Sequence, residues 1–329
     1  MNKLRILFGG LAAGACLMIG TAAAFAQNAR TLEVLQTNSD IRTNALGDVL
    51  GARQDRMSLF VSPLAMMGRE GVVGAELTTQ IYPAIDGVDG RPMQYNAAVG
   101  YKFLDRHAIS VDFRYQNGPV SKNFDVTKGI IGADITPFDW AAGLSYGFQF
   151  TPDFSASLTG NLIASYVGGS FGNYTGAVSL GAFYNHAYTW SEDYITKLGV
   201  ALRVNDIGAP ISYGAGMAYA LPTNVQLSAE YGGLRLAPKH YVNLLLGTRY
   251  FFLPSTAQLF QFGGGIEYDY NNFVFARLGY QYATREASKL TAGVGLKFMN
   301  RYSIDAAYSH GMNVDYGVDI WSVGLSARF

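Results

Sequence analysis

The chain has 329 residues, no net formal charge (24 basic against 24 acidic side chains) and a single cysteine, Cys16. That balance excludes a basic face for nucleic acid and an acidic tail, and one cysteine excludes a disulfide framework or a thiolate metal site. Glycine (39), tyrosine (22) and phenylalanine (20) are abundant while only 15% of residues are charged, a combination expected where strands rather than helices meet lipid.

The chain opens "MNKLRILFGGLAAGACLMIGTAAAFAQ". Lys3 and Arg5 precede an apolar run from Ile6 to Ile19, and Ala24-Phe25-Ala26 stand before Gln27. This is the layout of a cleaved secretory signal over 1–26, with an apolar core too short to stay as a membrane helix. A lipoprotein signal ending at Cys16 fits less well, because Ala13-Gly14-Ala15 lacks the usual aliphatic residue. Residues 27–70 are turn-rich and mixed in charge, with a helical turn around Ala45–Arg53. A barrel of about fourteen strands is too wide for its own wall side chains to fill. The segment therefore reads as a plug folded into the lumen, with a periplasmic tail as the alternative.

From residue 71 onward the pattern has a period of two. In "WAAGLSYGFQF", Trp140, Ala142, Leu144, Tyr146, Phe148 and Phe150 share one face, and Ala141, Gly143, Ser145, Gly147 and Gln149 the other. Nine to eleven such residues cross a bilayer as a tilted strand. The predicted strands centre on 71–82, 93–103, 107–116, 137–150, 154–167, 174–188, 194–204, 222–232, 239–252, 258–269, 272–282, 289–299, 301–309 and 319–329. Short joints at "LDRH", "TPDF", "DYNNF" and "MNRY" then fall on one side. The longer loops 83–92, 117–136, 168–173, 205–221, 283–288 and 310–318 fall on the other, as in bacterial outer-membrane barrels. Counting 212–221 as a strand breaks that parity, so it is assigned to a loop. The fold class is all-β: a transmembrane antiparallel β-barrel of about fourteen strands with an N-terminal plug.

By the same alternation Asp112, Arg114, Arg203, Arg249, Glu267, Arg277, Lys297, Asp305 and Arg328 point inward. A lysine or arginine on the lipid face costs about 2–4 kcal/mol at the midplane, which enforces the arrangement. The charges form either a polar conduit and docking surface for the plug or a paired network filling a closed lumen. Both signs are interspersed, unlike the single-sign rings that set ion selectivity. "FGGGIEY" (262–268) opens no helix; its glycines make room on the inner face. The last strand, "WSVGLSARF", alternates from Trp321 to the terminal Phe329. It must pair with the first strand to remove the free edge, and its terminal aromatic is the kind of signal that outer-membrane assembly machinery reads.

Catalytic motifs do not emerge. His107, His186, His240 and His310 are dispersed near strand ends, and no nucleophile elbow, phosphate loop or dinucleotide fingerprint is present. No enzyme activity and no cofactor are expected.

A resemblance runs along essentially the whole chain after residue 26, through middle strands such as "KFLDRHAISVDFRYQNGPV" and most clearly in the blocks at the two ends. "NSDIRTNALGDVLGA" followed by "SLFVSPLA", with Asp40, Arg42, Gly47, Asp48 and Pro63, resembles the N-terminal block of the FadL-like outer-membrane barrels, above all the PorV/PorQ branch. "GGGIEYDYNNFVFARLGYQY", "KLTAGVGLKF", "YSIDAAYSHG" and "WSVGLSARF" are similar to that branch's last strands. Ser62-Pro63-Leu64-Ala65 departs from the family's Asn-Pro-Ala. The resemblance implies a Gram-negative outer-membrane protein of type IX secretion. Its implied partners are outer-membrane lipid, the assembly machinery, the type IX translocon and the C-terminal domains of cargo. The alternative is a FadL-like channel for hydrophobic small molecules, which calls for an apolar pocket beneath the plug and a lateral gap; a structural barrel or general porin is the third expectation.

Overall fold

The computed structural model describes residues 30–68, 71–85, 88–120, 124–125, 130–131, 134–167, 173–213, 218–312 and 319–329. The signal-peptide expectation over 1–26 lies outside them. In chain order the strands are β1 (Val73–Ile81), β2 (Met93–Phe103), β3 (His107–Asn117), β4 (Phe124–Asp125), β5 (Ile130–Ile131), β6 (Phe138–Gln149) and β7 (Phe154–Tyr166). They continue with β8 (Asn173–Ser191), β9 (Tyr194–Gly208), β10 (Ile211–Ser212), β11 (Ala218–Tyr219), β12 (Asn224–Ala237), β13 (His240–Phe251) and β14 (Leu259–Tyr270). The last four are β15 (Val274–Ala283), β16 (Lys289–Phe298), β17 (Tyr302–Gly311) and β18 (Ile320–Arg328).

Fourteen of these close an antiparallel barrel in the order β1-β18-β17-β16-β15-β14-β13-β12-β9-β8-β7-β6-β3-β2. Each sequence-predicted strand has its counterpart. The stretch 212–221 contributes only part of the small β10–β11 ribbon within a loop. The barrel closes where β1 meets β18, from Gly74 opposite Arg328 to Ile81 opposite Trp321. Beyond the last paired residue, Phe329 accepts the amides of Val72 and Val73 and donates to Val73, so the ladder runs to the final residue.

The short joints lie at 104–106, 150–153, 192–193, 238–239, 271–273 and 299–301, all at one end. Leu104 and Asp105, Asn271 and Asn272, and Met299 and Asn300 all have φ between 49° and 56°. Positive φ at both central residues is the turn geometry whose twist matches that of the flanking strands. The ladder departs from strict register between Val178 and Leu180 of β8, and between Tyr231 and Leu234 of β12, where Gly232 and Gly233 sit. Elsewhere β3 pairs with β2 and β6 along its whole length.

The wall sorts its side chains by parity. Leu77, Val99, Leu144, Leu158, Leu278 and Val294 are exposed on the outside, whereas Gln80, Gln94, Asn96, Ser110, Glu230 and Glu267 are buried on the inside. The interior is polar because the segment 30–68 supplies polar partners to it. That segment bonds to Glu76 (β1), Ser155 (β7), Asn185 (β8), Arg203 (β9), Glu230 (β12), Asn243 and Arg249 (β13), Glu267 (β14), Gln281 (β15) and Thr291 (β16). Its apolar half, Met57, Leu59, Leu64 and Met66, packs on Ala98, Ala108, Phe183 and Ala201. Burying such side chains contributes about 1.5–3 kcal/mol each.

Candidate functional site

The lumen is crossed by a network of buried charges centred on Arg42. Asp40 caps the short helix Ile41–Asn44 by accepting the Arg42 amide at 3.0 Å, which aims the Arg42 guanidinium across the lumen. There it donates to Glu230 at 2.7 Å and to Glu267 at 2.9 Å. Glu267 also accepts from Arg277 at 2.7 Å, and Arg277 reaches Asp305 at 2.5 Å. Arg53 donates to Asn243 at 2.8 Å and pairs with Asp55 at 2.7 Å, while Arg56 pairs with Asp269 at 2.5 Å. Burial works against the Asp55 carboxylate, yet Arg53, Lys197 and Arg56 hold it well below its usual range. Asp40 is the opposite case. Burial pushes it up to about 6, against the opposing pull of Arg42, and its Oδ2 has no hydrogen-bond partner.

Around the network the segment is pressed close to the wall. Gly47, at φ 86°, adopts a backbone that other residues rarely take. A Cβ built on Gly265 would stand 2.8 Å from Leu46 Cα, and one on Gly279 would meet the Gly47 amide. Thr291 holds the same turn by accepting the Gly47 amide and donating to the Ala45 carbonyl, both at 3.0 Å. Asp48 pairs with Lys289 at 3.3 Å, and Pro63 begins the tight turn Pro63–Met66.

Open spaces lie on both sides of this layer. Toward the long loops lies a cavity of about 620 Å³. Tyr82, Phe251, Ala257 and Ala287 give it apolar surface, and Arg30, Arg249, Glu33 and Lys289 give it charge. The Arg30 guanidinium stacks 4.9 Å from the Phe251 ring and pairs with Glu286. Toward the short turns is a smaller, strongly charged space of about 90 Å³, lined by Asp40, Arg56, Lys297 and Arg301 among others.

Of the nine charges assigned to the inner face, the structure gathers Glu267, Arg277 and Asp305 into the Arg42 network. Asp112 pairs with Arg114 at 3.1 Å, and Arg328 with Glu76 at 2.5 Å, away from it. Lys297 lies 3.4 Å from Asn272 near the short turns. Among the described residues Arg203 and Arg249 donate hydrogen bonds to carbonyls of the N-terminal segment, Phe60 and Gln36. Trp321 and Phe329 are exposed at opposite ends of β18, against Tyr308 and Tyr302. Glu230 and Glu76 escaped the sequence reading, although the alternation along β12 and β1 puts both inward. The four histidines each bond through Nδ1 to a tyrosine hydroxyl or an aspartate: His107 to Tyr146, His186 to Asp153, His240 to Tyr268 and His310 to Asp319. Among the described residues no group of three His, Cys, Asp or Glu could hold a metal ion.

No protein-family model matches the chain, and no curated protein does. Solved structures do. The fold is similar to the Ralstonia pickettii toluene transporter TbuX, at 15% identity and TM-score 0.55, over 91% of this chain and all of that one. The monoaromatic hydrocarbon channel CymD matches at 10% identity and TM-score 0.57, over 90% of this chain and 98% of that one. The P. putida toluene transporter TodX matches at 11% identity and TM-score 0.54, over 90% and 99%. The likeness is one of fold.

These comparisons overturn the PorV/PorQ reading and with it the type IX translocon and cargo C-terminal domains as partners. The structure supplies the physical reason. Asp40, Arg42 and Pro63 of the N-terminal block are buried in the barrel interior and bonded or packed there. They belong to the way this kind of barrel is filled and offer no surface to a protein partner.

Proposed function

We propose that this protein is a FadL-like channel carrying hydrophobic small molecules across the outer membrane of a Gram-negative bacterium. It would be exported by a signal peptide over 1–26, with residues 27–70 as the lumen plug and 71–329 as the transmembrane barrel. The observation that carries this reading is the 620 Å³ cavity on the loop side, walled in part by Tyr82 and Phe251 and floored by the N-terminal segment. A loop-side receptacle above an occluded lumen suits capture followed by release. Its support is the fold likeness to structures titled toluene transporter and monoaromatic hydrocarbon channel.

The exterior supports the membrane setting. Aliphatic residues fill the middle of the outer face. Aromatics gather at both strand ends, such as Tyr95, Tyr250 and Trp321 near the long loops and Tyr101, Phe154 and Tyr302 near the short turns. In this setting the lumen charges hold the plug, and Phe329 with Trp321 serves as the assembly signal of the terminal strand. The reading is tested by uptake of radiolabelled toluene in cells that do or do not produce the chain. Production is expected to raise the rate several-fold, and Phe251→Arg, which puts a charge on the cavity's apolar wall, to cancel most of that gain. Equal uptake with and without the chain would remove the proposal.

A further inference from the structure

We infer that a second, smaller chamber in the loop-side half of the lumen, sharing Gln36–Asn38 and Arg249 with the larger cavity, is a binding site for one small monovalent anion. This site stands apart from the channel reading, because it rests on the internal charge balance alone. The chamber has a volume of about 60 Å³, room for about four water molecules, and lies between the wall and Gln36–Asn38, Leu50 and Phe60 of the N-terminal segment.

Its wall is built by register. Arg203 of β9 stands opposite Gln226 of β12, and Gln226 stands opposite Arg249 of β13. Two inter-strand spacings separate the arginines, roughly 10 Å between their Cα atoms, so both long side chains reach a common point. Arg114 lines the same chamber from β3.

The charges facing this space do not cancel. Arg114 is paired with Asp112, and Asp206 accepts from Asn161 at 3.3 Å. Neither Arg203 nor Arg249 has a carboxylate within ion-pair distance among the described residues. The bonds they make are to the Phe60 carbonyl at 3.5 Å and the Gln36 carbonyl at 3.1 Å. Among the described residues Arg249 Nε has no hydrogen-bond partner, although both side chains are more than nine-tenths buried. Three guanidiniums (Arg114, Arg203, Arg249) against two carboxylates (Asp112, Asp206) leave one positive charge, since Asp48, which also attracts Arg249, is already paired with Lys289. A guanidinium does not shed its proton, and a buried charge without a counter-charge is strongly disfavoured. One chloride- or formate-sized anion restores neutrality and satisfies the free fork, whereas a divalent oxyanion would overshoot it.

The full chain, purified in detergent, is to be titrated with sodium chloride against sodium gluconate at constant ionic strength while its thermal unfolding is followed. A saturable rise in the midpoint of roughly 2–4 °C is expected, flat in the Arg203→Gln/Arg249→Gln double variant. Because that variant can fail to fold, crystals of the unaltered chain grown in bromide give an independent result. Anomalous density is expected within hydrogen-bond reach of Arg203 and Arg249. An unsaturated response, an equal response in a folded double variant, or a chamber without bromide would overturn the inference.

Discussion

Arg42 is held by carboxylates from two strands, Glu230 and Glu267, all three buried. Removing one partner of such a group leaves an uncompensated buried charge, which costs about 3–5 kcal/mol. Glu267→Gln is therefore expected to loosen the N-terminal segment by that order, read as faster amide exchange over 40–48 with the barrel strands still protected. Unchanged exchange would mean that the network does not hold the segment. Asp40 gives a pH dependence with a definite sign. Burial raises its folded value to about 6 from an ordinary 3.8. Its contribution to docking is thus fully present below about 4 and lost as pH rises through about 6. Exchange protection of this turn is expected to be greater at pH 5 than at pH 7.5. Asp40→Asn, which keeps the cap acceptor and cannot ionise, is expected to flatten that difference; an unflattened profile would assign it elsewhere. Several of these residues could not be read from sequence. Arg53 and Arg56 sit in a segment with no period, and Asp206 lies just past a register shift where the alternation fails. Glu230 and Glu76 are legible, since the two-residue alternation of β12 and β1 places both inward.

At the scale of elements, the inward glycines of β14 to β16 mark where the N-terminal segment touches the wall. Gly279→Val would drive a side chain into Gly47 and Leu46, whereas a Cβ at Gly160 of β7 meets nothing within 4 Å. Gly279→Val is expected to displace the segment, seen as protease cleavage before residue 71 and raised single-channel conductance, while Gly160→Ala behaves as the parent. The strands themselves are legible because an apolar outer face and polar contacts on the inner one impose strict alternation. Three joints are equally legible. "LDRH", "DYNNF" and "MNRY" each contain two residues that the structure turns through positive φ. Strand ends are less so: β8 and β9 run beyond their predicted limits to 191 and 208 because their hairpin continues past the neighbouring strands. The final residue belongs to the ladder through Val72 and Val73. Deleting Phe329 is expected to lower the amount of folded, heat-modifiable barrel in the outer membrane severalfold, measured by gel shift.

For the whole molecule, barrel and filling are one object: the inner wall is polar where the N-terminal segment is polar, and carries small residues where that segment is apolar or comes close. This mutual fit explains why a resemblance in the N-terminal block pointed to the right architecture and the wrong function. Those residues report how the lumen is filled; on the channel reading proposed above, function would lie in the cavity above and in displacement of the filling. The lateral gap expected of a hydrophobic channel is not visible in the described ladder, where the irregularities lie at the β8–β9 and β12 register shifts. On the proposed channel reading, passage would require displacement of the N-terminal segment. The structure offers a way to prevent that motion, since a Cβ on Gly324 would stand 3.5 Å from Ile41 Cβ, within disulfide geometry, and Cys16 is the only cysteine of the chain. The decisive measurement is the uptake rate of a radiolabelled monoaromatic hydrocarbon by cells producing the Ile41→Cys/Gly324→Cys variant, oxidised and then reduced. The account expects uptake at the empty-vector level when oxidised and several-fold faster after reduction; the same rate in both states would contradict it.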